Sequence, residues 1–231
     1  TPLPPLIGGI KGNWCGSSEA WEKTIKEDPS AEARWNEINR KVAEYLKSND
    51  AQKKVNKQGG VFLTVPVVVH VIYNTPSENV LDADINAQIQ RLNLDFRKLN
   101  ADTVNTRPEF KPFAADAQIE FCLASRDPNG FATTGITRTP TNKTVFSVGD
   151  PVIYTTAPAW PRDQYLNFWV CDLTAGIGGY AQFPGASAAI DGIVDDYTTV
   201  NGFSRVATQE VGHWFGLYHV FENNCQGNTS G

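Results

Sequence analysis

Residues 65–73 (VPVVVHVIY) limit the possible folds of this chain more than any other segment. The run is almost continuously apolar and rich in β-branched side chains, which is typical of a strand covered on both faces. Such strands belong to parallel sheets that carry helices on either side. The run is far shorter than the ~20 apolar residues of a membrane-spanning helix, so it predicts a buried strand and no membrane anchor.

The segments that follow predict the rest of an α/β fold. An apolar stripe with helical spacing comes next, formed by Ile85, Ile89, Leu92, Phe96 and Leu99. Further strands are predicted at residues 118–124, 166–173 and 193–197. A strand, a helix and then more strands indicate an α/β sandwich with a mostly parallel sheet.

The first 58 residues differ in composition from the rest. After Ser30, apolar residues recur every three or four positions between Glu and Lys, which predicts an amphipathic helix. Residues 48–60 are polar, rich in lysine and end in two glycines, a pattern typical of an exposed linker. We therefore expect a helical segment at residues 1–58 and a main domain at residues 59–231.

The charge balance excludes one class of function. The chain carries 20 basic and 25 acidic residues, a net charge of -5, and no basic stripe. Because contacts to phosphate dominate affinity for nucleic acids, such a chain is a poor candidate for binding them.

Residues 209–219 (QEVGHWFGLYH) carry the candidate chemistry. In a helix, Gln209 and His213 lie on one face, and Glu210 projects close to the same place. Gly216 can end the helix and let the chain turn, which would bring His219 back toward that face. Two imidazoles and a third donor could thus converge on zinc, with a carboxylate beside it to move the proton of an attacking water.

The established pattern for this chemistry is HExxHxxGxxH. The chain departs from it only at the first position, where Gln209 stands for histidine. The chain resembles the metzincin zinc peptidases, in their pappalysin-like branch (ulilysin and cytophagalysin). The resemblance rests on this motif together with the blocks VPVVVHVIYN, AADAQIEFCLASRDPNG, WPRDQYLNFWVCDL and GYAQFPG. The resemblance covers almost the whole chain and includes a propeptide-like start at Cys15-Gly16.

This resemblance implies a metzincin-like upper subdomain, with a twisted sheet and an active-site helix, preceded by a helical propeptide. His213 and His219 would be zinc ligands, and Glu210 the general acid/base. Cys15 would be the latency residue, its thiolate taking the place of the water on zinc. The implied protein is secreted, cleaves peptides or proteins, and has its own propeptide in its cleft. Calcium is compatible with the resemblance, although the sequence assigns it no ligand.

Two differences from the family pattern change the function that we expect. A carboxamide oxygen at Gln209 is a weak, neutral donor, so zinc should be bound weakly or not at all. The chain contains no methionine and ends 12 residues after His219, so we expect it to be truncated before the methionine turn and the lower subdomain are complete. The rival interpretation is a catalytically dead homologue, or an engineered inactive variant, that binds a peptide or protein without cleavage.

The resemblance also bears on the cysteines. In metzincin-like topology, the strand at residues 65–73 separates the strands that carry Cys122 and Cys171. Strands separated by a third are ~10 Å apart, which is beyond disulfide reach. We expect both thiols to be free and buried, and Cys225 to pair with a partner missing from this chain.

Three further features have mainly structural interpretations. His70, inside the buried strand, is expected to be structural. Asp195 and Asp196 are expected to form a solvated rim near a strand end. The tryptophans of the N-terminal segment either anchor it on the cleft or pack its own helices, and the sequence does not choose between these alternatives; they are Trp14, Trp21 and Trp35.

Overall fold

A computed structural model describes residues 15–48 and 62–219. The helices in these ranges are α1 (Ser17–Glu27), α2 (Ser30–Lys47), α3 (Asp82–Phe96), α4 (Pro151–Thr156) and α5 (Val206–Trp214). The strands are β1 (Leu63–Tyr73), β2 (Ile119–Leu123), β3 (Ile136–Pro140), β4 (Leu166–Cys171), β5 (Gly179–Ala181) and β6 (Ile193–Asp196). None of these helices is long and apolar enough to cross a membrane.

The strands form one sheet in the order β2-β1-β4-β6-β5, and β3 also pairs with β1. All pairs are parallel except β5 with β6. The prediction of an α/β fold with a mostly parallel sheet is therefore confirmed. The sequence patterns missed β3, whose segment ITRTP is not a continuous apolar run, and β5, which is only three residues long.

Strand β1 is covered on both faces, as its composition predicts. Val67, Val69 and Val71 lie in a core that includes apolar residues of α3 and α5. Ile72 lies in a second core on the opposite face, with Trp169 and Phe146. Each such side chain contributes about 1.5–3 kcal/mol when it is fully buried, so this strand organises both cores. The stripe on α3 ends at Phe96, and Leu99 lies beyond the helix and is exposed.

The N-terminal helices pack on the main domain. Ala20 of α1 is buried within the second core. Ala31 and Trp35 of α2 are buried, whereas Val42 and Tyr45 on the same helix are exposed. The amphipathic helix is thus present, but only its first part is covered by described residues. The expected linker lies largely outside the described residues.

The strand order agrees with the expectation for the cysteines, because β1 lies between β2 and β4. Cys15, Cys122 and Cys171 are all free, and Cys171 is buried. The prediction that Cys122 is buried is wrong. Strand β2 lies at the edge of the sheet, and since side chains alternate along a strand, Phe121 takes the inward position and leaves Cys122 exposed. Cys225 lies outside the described residues.

His70 is enclosed on the sheet face opposite α5. Its Nδ1 lies 2.9 Å from Thr137 Oγ1 and its Nε2 lies 3.1 Å from Asn167 Oδ1. Its ring stacks on Trp169 with the centroids 5.4 Å apart. Burial lowers the pKa of His70 to about 4, so the ring is neutral at pH 7. These contacts agree with a structural role.

The prediction that Asp195 and Asp196 form a solvated rim is wrong. Both residues are buried, because β6 is an interior strand between β4 and β5. Asp196 accepts hydrogen bonds from the backbone N–H groups of Leu173 and Thr198. Neither carboxyl oxygen of Asp195 has a hydrogen-bond partner among the described residues. Burial is the main reason that the pKa of Asp195 is raised well above its usual range, and the nearby Glu210 carboxyl is the second reason.

Candidate active site

Helix α5 positions the first part of the site against β5 and β6. Gln209 and His213 are four residues apart and therefore lie on the same face of the helix. Glu210 and His213 are almost fully buried, whereas Gln209 is exposed. The helix thus holds one imidazole and one carboxyl group firmly, and leaves the amide at the open side.

A tight turn brings His219 back to this helix. Gly216 has a φ of 90°, which favours glycine. Its N–H donates to the carbonyl of His213 (2.7 Å), and the N–H of Leu217 donates to that of Gly212 (2.9 Å). As a result, His219 Nε2 lies 3.1 Å from His213 Nε2 and 3.1 Å from Gln209 Nε2.

Cys15 approaches the same point from the other end of the described chain. Its Sγ lies 3.4 Å from His213 Nε2 and 3.6 Å from Glu210 Oε2. Gly16 fixes this approach, because its N–H donates to the carbonyl of Gly179 on β5 (2.9 Å). A Cβ atom at Gly16 would lie 2.7 Å from Val148 Cγ2, so the close approach requires glycine. The Cys-Gly pair therefore sets the thiol beside the imidazole.

Ser17 is a site residue that sequence reasoning missed. Its buried hydroxyl donates to Glu210 Oε2 (2.7 Å) and accepts from the N–H of Ala181 on β5 (2.8 Å). Burial is the main reason that the pKa of Glu210 is raised well above its usual range, and the nearby Cys15 thiol is the second reason. The only signal in the sequence is that Ser17 follows the Cys-Gly pair, and that signal does not identify its partner.

Two of the N-terminal tryptophans contact the main domain. The ring of Trp35 packs near Phe183 and Tyr218, and its Nε1 donates to the Tyr218 hydroxyl (2.7 Å). Trp21 meets Phe183 edge to face. Phe183 in turn lies against His213, with the ring centroids 5.4 Å apart. Both tryptophans thus hold the N-terminal helices next to the site, whereas Trp14 lies outside the described residues.

Three side chains suit a zinc ion. The ligand atoms of Cys15, His213 and His219 all lie within 4.8 Å of one another, and no other group of three or more such residues was found in the described ranges. A tetrahedral zinc site holds sulfur and nitrogen about 3.6 Å apart and two nitrogens about 3.3 Å apart, given its usual bond lengths. The observed separations of 3.4 Å and 3.1 Å agree with these values.

The imidazole of His213 is also oriented for a metal. Its Nδ1 lies 2.6 Å from the carbonyl oxygen of Leu217, to which it donates, and Nε2 keeps its lone pair for a cation. Gln209 stands beside this group, and turning its amide by 180° would present the oxygen in place of the nitrogen. The donors, one sulfur and two nitrogens, favour zinc over calcium.

Fold and site together define a class of protein, the metallopeptidases. Among solved structures, Tannerella forsythia mature mirolysin in complex with a cleaved peptide is 42% identical, with a TM-score of 0.67. That match covers 71% of this chain and 67% of mirolysin. A mutant of Tannerella forsythia promirolysin is 36% identical, with a TM-score of 0.70, and the match covers 90% of this chain and 70% of promirolysin. The chain therefore belongs to the mirolysin family of pappalysin-like metallopeptidases.

Curated relatives agree with this assignment. An extracellular metalloprotease of Pyricularia oryzae is 26% identical over an alignment of 179 residues that covers 71% of this chain. One from Podospora anserina is 41% identical over an alignment of 75 residues that covers 27% of this chain and 26% of that protein. The chain spans about half the length of the Pyricularia relative, 53%. No protein-family model matches it.

Proposed function

We propose that this chain is the pro-form of a secreted zinc endopeptidase whose metal site is weakened by Gln209. The observation that supports this most directly is the convergence of Cys15, Glu210, His213 and His219 on one point. Their chemistry is that of a blocked peptidase site, with two imidazoles for the metal, a buried carboxyl for proton transfer and a thiol over the centre.

Each residue has a distinct part in this proposal. Zinc, when bound, supplies Lewis acidity at the carbonyl of the scissile peptide bond. His213 and His219 would hold it through their Nε2 atoms. Glu210 would take the proton of the attacking water and give it to the leaving amine. Cys15 and Ser17 oppose this in the pro-form, because the thiol occupies the metal side and the hydroxyl engages the carboxyl of Glu210.

Residues 1–58 form the propeptide and residues 59–231 the catalytic part in this proposal. Two observations support the division. The share of the chain that aligns rises from 71% with mature mirolysin to 90% with promirolysin. Cys15 and Ser17 are also buried against β5 and α5. Trypsin should cut the lysine-rich linker first, releasing residues 1 to roughly 57 and leaving a resistant core. First cuts within β1 would place the boundary elsewhere.

The substrate in this proposal is an extended peptide or protein segment that pairs with β5. This short strand lies at the end of the sheet, where Gly16 now bonds to Gly179. An exposed strand edge can bind an added peptide strand through its backbone groups. Mature mirolysin was solved with a cleaved peptide. Secretion is supported by the names of the curated relatives, which are extracellular metalloproteases.

A second candidate function rests on Gln209 alone. A neutral amide in place of an imidazole makes the site a poor metal centre. The chain would then be a catalytically dead relative, or a disabled variant, that binds peptides along β5 without cutting them.

The substitution Gln209→His separates the two functions. Cleavage is measured on a chain extended to the length of the mirolysins, because this chain spans about two thirds of them. With the N-terminal segment removed, we expect Gln209→His to hold about one zinc per chain, by elemental analysis, and to cleave peptides. Adding Glu210→Ala should keep the zinc and abolish cleavage.

Two results would contradict the first proposal. If the unaltered protein cleaves peptides as fast as Gln209→His, the site is not weakened by Gln209. If Gln209→His binds zinc and peptide but cleaves nothing, the peptide-binding function is the correct one.

A further inference from the structure

The sheet ends in β5 on one side and in β2 on the other, and a further strand could pair with either end. On β5, the carbonyl of Gly179 accepts a hydrogen bond from Gly16. The N–H of Ala181 on the same strand donates to Ser17. Gly16 and Ser17 both belong to the N-terminal segment, which the proposed activation removes. An uncovered strand edge can pair with a peptide or with another chain, so what closes β2 decides where a peptide can bind.

Strand β2 turns the backbone groups of Phe121 toward the open side of the sheet. The N–H of Leu63 donates to the carbonyl of Gln118 (3.0 Å). The N–H of Ala124 donates to the carbonyl of Val67 (2.8 Å). Because bonding to a parallel neighbour alternates along a strand, the even-numbered residues of β2 face β1. The N–H and the carbonyl of Phe121 therefore point away from β1.

Asn93 of α3 occupies both of these groups. Its Oδ1 accepts from the N–H of Phe121 (2.6 Å), and its Nδ2 donates to the carbonyl of Phe121 (2.9 Å). A carboxamide offers an acceptor and a donor side by side, so Asn93 bonds to Phe121 as the backbone of an added strand would. Four residues further along, Arg97 forms an ion pair with Glu120 of β2. Two side chains of the main domain thus engage the middle of this edge.

The same edge borders an open groove. The groove has a volume of about 380 Å³ and lies between the end of α3 and β2, with Asn93, Arg97 and the exposed side chains of Leu94 and Leu99 in its lining. The backbone of β2 can therefore be reached from solvent, and its outward groups need a partner. Further along the same side, β3 ends at Pro140, which has no N–H to offer to another strand.

We propose that Asn93 closes the β2 edge to strand addition and so directs an extended peptide to β5. The inference deepens the proposed function, on which it rests in taking an extended peptide as the ligand. The two edges differ in the origin of their partners. Gly16 and Ser17 leave β5 with the N-terminal segment, whereas Asn93 stays with the main domain. Asn93 is thus a residue that selects which edge of the sheet binds peptide.

Peptide binding by the full chain tests this inference, with the N-terminal segment in place over β5. The variants are Asn93→Leu, which has a similar size but cannot bond to Phe121, and Asn93→Ser, which adds no apolar surface. Asn86→Leu is the matched control, since Asn86 is exposed on the same helix and its amide donates to the carbonyl of Asp82 in that helix. Circular dichroism checks that all variants fold.

The probe is a fluorescein-labelled peptide of four Thr-Val repeats, and its binding is measured by fluorescence anisotropy. The same peptide with all its backbone nitrogens methylated is the control ligand, because it cannot donate hydrogen bonds to a strand edge. Hydrogen exchange of the Phe121 amide gives a second measurement that needs no ligand. The amide of Cys122 is its internal reference, since this residue faces β1.

We expect both Asn93 variants to bind the probe roughly tenfold more tightly than the unaltered chain or more, because two backbone groups become free to pair. Asn86→Leu should bind like the unaltered chain, and the methylated peptide should bind to none of them. The Phe121 amide should exchange about tenfold faster in both Asn93 variants, since it loses its acceptor. The exchange of Cys122 should change much less.

Three results would overturn the inference. The unaltered chain could bind the probe as tightly as the Asn93 variants, which would show an edge that is already open. The Asn93 variants could exchange faster at Phe121 without binding more probe, which would show that another feature closes the edge. Asn86→Leu could gain as much binding as Asn93→Leu, which would assign the gain to the added leucine.

Two further outcomes leave the closing role of Asn93 in place. If the Asn93 variants dimerise, and exchange at Phe121 slows as the protein concentration rises, a second copy of the chain supplies the added strand. None of these measurements involves zinc or cleavage, so the inference can fail while the zinc peptidase proposal stands. If Gln209→His neither binds zinc nor cleaves peptides, the proposed function fails and the closed β2 edge is unaffected.

Discussion

Two groups of largely buried polar side chains lie on opposite faces of the sheet and differ in which part of the chain supplies their hydrogen-bond partners. The His70 cluster (His70, Thr137 and Asn167) draws its hydrogen-bond partners from β1, β3 and β4. The Glu210 cluster (Cys15, Ser17, Asp195 and Glu210) draws on the N-terminal segment, and still leaves both oxygens of Asp195 without a described partner.

The difference agrees with the proposed function, in which the His70 cluster stabilises the fold and the Glu210 cluster serves the chemistry. A buried polar group is costly unless it is hydrogen-bonded, so the main domain satisfies His70 from its own strands. The Glu210 carboxyl takes its hydrogen bond from Ser17, a residue that the proposed activation removes. Buried groups with displaced pKa values gather at functional sites. The pKa of His70 is displaced as well, so the origin of the hydrogen bonds, and not the pKa, distinguishes the two clusters.

Among the variants that test the difference between the two clusters, Asp195→Asn is expected to have the largest effect on the free energy of unfolding. The folded-state pKa of Asp195 is raised, so the unfolded chain ionises first as the pH rises. The free energy of unfolding therefore falls above about pH 4, by about 1.4 kcal/mol per pH unit for this one group. Asparagine cannot ionise, and the variant should be more stable at pH 7. Urea denaturation at pH 4 to 7 measures the slope.

Part of that slope should remain in Asp195→Asn, because the pKa of Glu210 is raised as well. An unchanged slope in the variant would show that Asp195 is satisfied and ionised in the folded protein. The Glu210 cluster would then not differ from the His70 cluster in the way described.

His70 should give the opposite pH dependence, with a smaller total effect. Its pKa falls from 6.5 in the unfolded chain to about 4 in the folded protein. As the pH drops through this interval, the unfolded chain takes up a proton and the folded protein does not. Stability should therefore decrease by about 3 kcal/mol between pH 6.5 and pH 4. His70→Gln keeps an amide for the two neighbours and cannot titrate, so its urea midpoint should lack this decrease. A decrease of the same size in His70→Gln would assign it to other groups.

The smallest effect is expected from Ser17→Ala. A buried hydrogen bond contributes about 1–3 kcal/mol, since removing one partner leaves the other unsatisfied. The N-terminal segment should open more often, and Cys15 should react with a thiol reagent about tenfold faster or more in the presence of a chelator. Peptide mass mapping separates Cys15 from the exposed Cys122, which gives the reference rate. An unchanged rate in Ser17→Ala would show that the Ser17 hydroxyl does not help to hold Cys15 at the site.

Much of the fold could be predicted because its elements have local patterns. The apolar run of β1 and the stripe on α3 each depend on the spacing of residues within one segment. Strand β5 was not predicted, because a segment of three residues is too short to show a periodic pattern. Cys122 was predicted to be buried from its residue type, yet its exposure depends on which strand lies at the sheet edge.

The candidate site divides in the same way. One short motif contains Gln209, Glu210, His213 and His219. Helix geometry and a glycine turn are therefore enough to predict that these side chains lie close together. Ser17 and Glu210 are 193 positions apart, and nothing in the spacing of the sequence connects them. Asp195 was misplaced on a rim because burial of β6 is decided by its neighbours in the sheet.

By itself, the sequence determined the α/β class, the parallel character of the sheet and the residues of the motif, because each follows from short-range periodicity and residue chemistry. Only the tertiary structure decided that Cys15 and Ser17 reach His213 and Glu210, that Asp195 has no hydrogen-bond partner among the described residues and that Trp35 lies against Tyr218 beside His219. These contacts join segments that are distant in sequence, and they form only when β5, α1 and α5 pack together. The pattern of residues within one short segment does not show which distant segment will pack against it.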